Sequence, residues 1–273
     1  MKKLFGLLAI IALFSGFRLQ ERTWLALGDS ITYLNDHTNE TGDRITKGYM
    51  TLVTEQLKDI RYVNKGFNGW TAVEIAKQIE TLGLTKADIY TVFLGTNDWW
   101  AGKPIGTMAD FEGNTGFGTI NGAFRIILDK FKSLNPQAKV ILITPMQRSD
   151  FVYINGFRNN AYGSYKEKNG QTLKQVADVI RDVGKHEKLK VIDLYHERSL
   201  ALKNLVTFKH LKDPATGSYK NFPYPDYIGV PFNPDTDEYP YPSDAARMTY
   251  DGLHPSDAGY AVITKLLVKA MKN

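Results

Sequence analysis

Apolar positions along this chain fall into two patterns. Short continuous runs occupy residues 23–27, 61–63, 89–94, 139–144 and 190–194, which reads as strand. Between them, apolar residues recur every three or four positions over residues 49–57, 73–82, 120–134, 173–186 and 258–271, which reads as helix. Continuously apolar strands, each separated from the next by a helix, predict a parallel sheet covered on both faces. Five such strands predict a doubly wound α/β domain, a three-layer α/β/α sandwich. In a sheet of that kind, ligands bind beyond the carboxyl ends of the strands. The informative residues are therefore Gly28-Asp29-Ser30, 64–70, Gly95-Thr96-Asn97-Asp98, 145–148 and 193–196.

Two segments break the alternation. Residues 99–118 are rich in glycine. Residues 208–243 are polar and aromatic, and hold seven of the eleven prolines. Loops of this length inside a compact domain are usually functional or mobile. No internal repeat is present and no composition shift marks a second domain. With 273 residues, the chain reads as one enlarged domain over 21–273 with an insertion at about 208–243.

Composition narrows the class. Hydrophobic residues are 43% and charged residues 23%, as in globular proteins. The formal charge of +5 comes from scattered Lys and Arg; no basic cluster tracks a phosphate backbone, so nucleic acid is not the expected partner. Lys2 and Lys3, an apolar run over 4–14, and Ser15-Gly16 read as a secretory signal peptide ending near residue 20. The run falls short of the ~20 apolar residues of a membrane span. Export to the periplasm or medium, with no stable membrane span after the leader is removed, is the expectation. The sequence has no cysteine, which rules out a thiol nucleophile, a disulfide and a cysteine-linked lipid.

Ser30 stands where the first apolar run stops. A serine there is either a turn residue, since Gly, Asp and Ser all favour turns, or a nucleophile at the mouth of the sheet. A nucleophilic serine needs a histidine base, and that base needs an acid to fix its tautomer. Of the five histidines, two stand in Asp-x-x-His spacing: Asp251–His254 and Asp193–His196. Pro255 suits the first turn of the closing helix, so Asp251 and His254 are expected on a fixed turn leading into it, with Nε2 free for Ser30. Asp193 ends the fifth strand, and His196 falls in the loop after it, with no evident route to Ser30. Oxyanion donors are also needed. Gly69, without a side chain, can bring its N–H close. Asn97 offers a side-chain NH₂, and the Ser30 N–H completes the set.

Gly28-Asp29-Ser30, Gly69, Asn97 and Asp251-x-x-His254 together resemble the four blocks of the SGNH hydrolase (GDSL esterase/lipase) superfamily, in the family's order. Each block is weak alone, and their joint order carries the resemblance. It implies a flavodoxin-like sandwich with a five-stranded parallel sheet, and ester hydrolysis by Ser30, His254 and Asp251 with no metal or other cofactor. Ile31 departs from the frequent leucine, and Asn68 from the frequent serine before the oxyanion glycine. Neither change removes a reacting group. The nucleophile does not lie in the Gly-x-Ser-x-Gly elbow of α/β-hydrolases.

Which ester is less determined. Trp70, Trp99 and Trp100 flank the oxyanion residues, and Tyr219, Phe222, Tyr224, Tyr227, Phe232, Tyr239 and Tyr241 precede Asp251. Flat amphipathic rings beside polar groups suit a sugar, so a small-molecule or oligosaccharide ester, and a carbohydrate O-acetyl esterase, is the leading reading. Rings of this kind also pack lids and cores. A lipase or acyl-thioesterase would want an aliphatic groove, and the insertion is poor in Leu and Ile. A catalytically silent carbohydrate-binding module would need a lost catalytic residue, and none is missing. Arg148, after the fourth strand, is placed either to bind a polar or acidic substrate group or to form a surface salt bridge. Asp235, Asp237 and Glu238 lack ordered calcium-loop spacing and read as a solvated loop. Oligomeric state is left open.

Overall fold

The computed structural model describes residues 21–272; the expected leader lies outside them. Five parallel strands, β1 (Arg22–Gly28), β2 (Ile60–Gly66), β3 (Ile89–Phe93), β4 (Lys139–Ile143) and β5 (Lys190–Ile192), form a sheet in the order β2-β1-β3-β4-β5. Connections run one way from β1 to β2 and the other way from β3 onward. The crevice between β1 and β3 is therefore the switch point at which such sheets bind ligands. Gly28, Gly66 and Phe93 pair in one register at the carboxyl edge, so the residues after all three strands meet there.

The strands are apolar throughout because both faces are covered. Leu25, Leu27, Tyr90, Val92 and Leu142 point to one layer. Trp24, Ala26, Ile89, Ile141 and Ile143 point to the other, as the twofold strand period requires. The first layer is closed by α2 (Ala72–Lys77), α3 (Ile120–Leu134) and α4 (Leu173–His186), the second by α1 (Tyr49–Gln56) and α5 (Asp257–Lys272). Local signals set the helix starts. Thr71 Oγ1 accepts from Glu74 N–H at 3.0 Å while Glu74 Oε2 accepts from Thr71 N–H at 3.0 Å, a reciprocal cap. No described helix is long and apolar enough to cross a membrane.

The differences from the sequence pattern have physical causes. β2 is longer than residues 61–63 because it is an edge strand, whose exposed and half-buried positions tolerate Arg61, Asn64 and Lys65. α2 stops at Lys77, yet Ile79 and Leu84 remain buried against the same core; the apolar spacing outlasts the helical hydrogen bonds. Residues 99–118 are not plain loop: a helix over Met108–Glu112 starts at a Thr107–Asp110 cap. Residues 208–243 contain an antiparallel pair, Lys209–Lys212 with Tyr219–Phe222. The insertion's aromatics make a small core of their own, where Tyr227 and Tyr241 are fully buried beside Val152. None of these rings lines the cleft that holds Ser30.

Candidate active site

Directly after β1, Asp29 caps a short helical turn, Ser30–Tyr33, its Oδ1 accepting from Ile31 N–H at 3.0 Å. Ser30 is thereby held at the carboxyl edge of the sheet, nearly buried. The carboxyl of Asp29 is enclosed, and loss of hydration pushes its pKa up to about 6 against the pull of the Ile31 N–H and of nearby His254.

His254 reaches Ser30 from the far end of the chain. Its Nδ1–H donates to Asp251 Oδ2 at 2.6 Å, which leaves Nε2 to accept from Ser30 Oγ–H at 2.9 Å. Asp251 has no exposed surface. Its other oxygen accepts from the N–H groups of Leu253 (3.0 Å) and His254 (2.8 Å), so the carboxylate also builds the turn that carries the ring. Gly252 closes the turn at φ +90°, and a Cβ there would lie 1.9 Å from Asp150 O; only glycine satisfies both the conformation and the contact. The loop after β4 pins this turn, with Ser149 N–H donating to Gly252 O at 2.9 Å and Val152 N–H to Asp251 O at 3.2 Å. Phe151 stands edge-on to the imidazole at 5.5 Å, and Tyr250 stacks on it at 5.9 Å. Pro255 lies two residues ahead of α5, not in its first turn as the sequence suggested. The cap is Ser256, whose Oγ accepts from Gly259 N–H at 3.3 Å.

Gly69 and Asn97 line the same cleft as Ser30 and His254. Gly69 adopts φ +78°, and a Cβ there would meet nothing within 4 Å. Glycine is thus favoured here by backbone conformation. Asn97 Nδ2 donates one hydrogen to Trp70 O at 3.0 Å, which fixes the amide and leaves its second hydrogen available to the cleft. Among the described residues, neither the Ser30 nor the Gly69 N–H has an acceptor. Asp98, buried completely, accepts from the Ala72 N–H (2.9 Å) and the Val73 N–H (3.3 Å). It ties the Gly69–Thr71 loop to the turn holding Asn97. Burial, opposed by those N–H bonds, raises its pKa to about 6. Its neighbour Asn97 drew attention in the sequence; Asp98 did not, although it stands in the same Gly-Thr-Asn-Asp stretch.

The cleft holds about 280 Å³ and is walled by Leu34, Phe151 and Leu253 on one hand, and by Asn68, Asn159 and Arg148 on the other. Of the three tryptophans expected at the substrate, Trp100 alone lines it. Trp99 is buried, with its Nε1–H donating to Gln171 O at 2.9 Å, and Trp70 stacks on Phe67 at 5.0 Å. Arg148 is not in a surface salt bridge; it is 2% exposed, with its guanidinium over the rings of Trp99 and Trp100. His196 Nδ1 contacts Asp193 Oδ2 at 2.9 Å, but that pair is half exposed, shares the carboxylate with Arg181 and is not part of the cleft. Asp235 is held by Arg158 (2.7 Å) and Asp237 by Lys212 (2.8 Å). Among the described residues no His, Cys, Asp and Glu side chains cluster in a way that could hold a metal ion.

An imidazole so placed can take the Ser30 proton while the carboxylate steadies the ring, and three N–H donors stand ready for an oxyanion. Residues 26–262 match the model of the GDSL-like lipase/acylhydrolase family. No curated protein matches the sequence. The crystal structure of a possible lipase from Chitinophaga pinensis is 54% identical, covers 92% of this chain and 98% of its own, and superposes with a TM-score of 0.91. An acetyl xylan esterase is 18% identical over 91% of this chain and 98% of its own, with a TM-score of 0.55. A catalytic mutant of an acetylxylan esterase from Geobacillus stearothermophilus is 18% identical over 92% and 94%, with a TM-score of 0.53. These last two share the fold. The chain belongs to the GDSL-like lipase/acylhydrolase family and is a carboxylic ester hydrolase.

Proposed function

We propose that Ser30 is the nucleophile, His254 the general base and Asp251 its orienting carboxylate, and that the reaction removes short acyl groups, chiefly acetyl, from a carbohydrate. The observation that carries the reading is the unbroken line Asp251–His254–Ser30, which ends in a cleft shared with Gly69 and Asn97. Ser30 Oγ attacks the ester carbonyl as His254 Nε2 takes its proton. The N–H groups of Ser30 and Gly69 and the Asn97 amide hold the tetrahedral oxyanion. The alcohol departs with the proton from His254, and a water activated by the same ring releases the acyl group from Ser30.

A cleft of about 280 Å³ with amide and guanidinium groups in its wall favours a small acyl group beside a hydroxylated alcohol over a long alkyl chain. Two proteins of the same fold are acetyl xylan esterases, a support that rests on the fold. The possible lipase at 54% identity keeps longer acyl chains as the rival. The leader-like start of the chain supports export as part of this reading, checked by sequencing the N-terminus of the mature protein. Hydrolysis of p-nitrophenyl acetate against p-nitrophenyl octanoate, with Ser30→Ala, His254→Ala and His196→Ala alongside, tests the assignment. Preference for acetate, with only the first two variants inactive, supports it. Preference for octanoate moves the substrate to lipid, and an active Ser30→Ala removes the mechanism.

A further inference from the structure

Among the described residues Arg148 makes no salt bridge, although the carboxylates of Asp150 and Asp251 are near enough to favour its charge. Arg148 lines the cleft beside Trp100 and is almost wholly buried. Its Nη2–H donates to Tyr162 O at 2.8 Å, and its buried Nε has no hydrogen-bond partner. Asp150, two residues on, is already engaged by Lys209 Nζ at 2.8 Å, by Gly163 N–H at 2.8 Å and by the Tyr165 hydroxyl. The guanidinium carbon lies 4.9 Å from the ring centre of Trp99 and 4.8 Å from that of Trp100. Stacking of this kind orients a guanidinium by its faces; with Nη2 partly spent on Tyr162 O and Nε enclosed, Nη1 is the nitrogen without a partner among the described residues that is not enclosed. Burial lowers its pKa to about 10, so it is charged at neutral pH.

The surroundings repeat the sign. Lys168 Nζ sits 4.2 Å from the ring centre of Trp100, and Lys166 Nζ 5.5 Å from that of Tyr162. Neither lysine has a carboxylate partner among the described residues. Of these cations Arg148 lines the cleft, and Lys168 reaches it only through the Trp100 ring that both cations share. Glu40 stands elsewhere in the lining, its Oε1 accepting from Tyr33 O–H at 2.9 Å, and it repels an anion on its own side. Burying a charge without a direct ion pair is costly, and a buried donor without a partner calls for an explanation.

We propose that Arg148 is a carboxylate-binding subsite, and that the ester substrate is an acidic sugar: an O-acetylated uronic acid, free or within an acidic polysaccharide. A carboxylate matches the planar donor edge of a guanidinium, and repulsion by Glu40 orients the sugar with its acid toward Arg148. The inference rests on the esterase reading above. The test compares kcat/KM for O-acetylated methyl glucuronoside and O-acetylated methyl glucoside, with p-nitrophenyl acetate as a reporter of the chemistry itself. The expected wild-type preference for the acidic sugar is about tenfold or more. R148M, checked for folding by circular dichroism, brings the ratio near one, and Lys168→Ser lowers it by about two- to threefold at low salt. A wild-type ratio of one or less, with p-nitrophenyl acetate turned over, overturns the subsite and leaves the esterase standing. So does an unchanged ratio in folded R148M. Wild type inert toward all three compounds overturns the esterase reading and the subsite with it.

Discussion

At the scale of single residues, the site is a set of side chains whose positions are each fixed twice. Asp251 holds the His254 ring with one oxygen and the turn with the other. Asn97 is anchored to Trp70 O before any substrate arrives. Such preorganisation predicts distinct costs. Ser30→Ala and His254→Ala lower kcat by about 10⁴-fold or more, whereas His196→Ala stays within about twofold. Asn97→Ala lowers kcat by about 10²–10³ through loss of one oxyanion donor, with KM little changed; steady-state kinetics on p-nitrophenyl acetate distinguish the two classes. The residues that would react were legible in the sequence because their chemistry demands particular types in a particular order. Asp98 and the hydrophobic neighbours of His254 were not, because their role is contact across the fold, which spacing does not encode. Trp99 illustrates the limit: adjacent to Trp100 in sequence, it is core, while Trp100 is wall.

At the scale of elements, the turn bearing Asp251 and His254 depends on the loop after β4, and that loop depends on the insertion. Lys209, in the first strand of the insertion, is buried and pairs with Asp150 at 2.8 Å. Asp150 in turn sits against Gly252. Lys209→Met leaves the Asp150 carboxylate without its cation and is expected to cost about 3 kcal/mol of stability, read from urea unfolding, with a fall in kcat as the turn loosens. Unchanged stability and activity would show that the insertion does not brace the site. The strands and long helices were evident from periodicity. The insertion's hairpin was not, because its pairing is stabilised by its own aromatic cluster and by Val152 some sixty residues upstream. The spacing over 258–271 places the start of α5 within one residue of Asp257, but Pro255 precedes the helix, since proline is as compatible with the approach to a helix as with its first turn.

At the scale of the molecule, the sheet order brings together the ends of β1, β2 and β3 at one crevice, and the closing turn before α5 brings His254 to it across 224 residues. Enclosing this crevice buries two carboxyls beneath it. Asp29 and Asp98 are each raised from 3.8 to about 6. A carboxyl with a raised folded value binds its proton more tightly in the native state. The resulting stabilisation is complete below about pH 4 and is lost as pH rises through about 6. Asp98→Asn cannot titrate, so its stability relative to wild type should rise by up to about 3 kcal/mol between about pH 4 and pH 7, measured by urea unfolding across that range. A difference that stays flat with pH would contradict the burial argument. The sandwich itself was legible because covered parallel strands must be apolar on both faces; the acidic pair beneath the site was not, since burial of a carboxyl leaves no mark on the sequence pattern.

The central claim is that Ser30 is the nucleophile, activated by His254. Its most direct test is covalent: treat the protein with a fluorophosphonate probe and locate the adduct by peptide mass mapping. The expected result is one probe per chain, on Ser30, absent in Ser30→Ala and attached far more slowly in His254→Ala. An adduct on another residue, or labelling of His254→Ala at the wild-type rate, would contradict it.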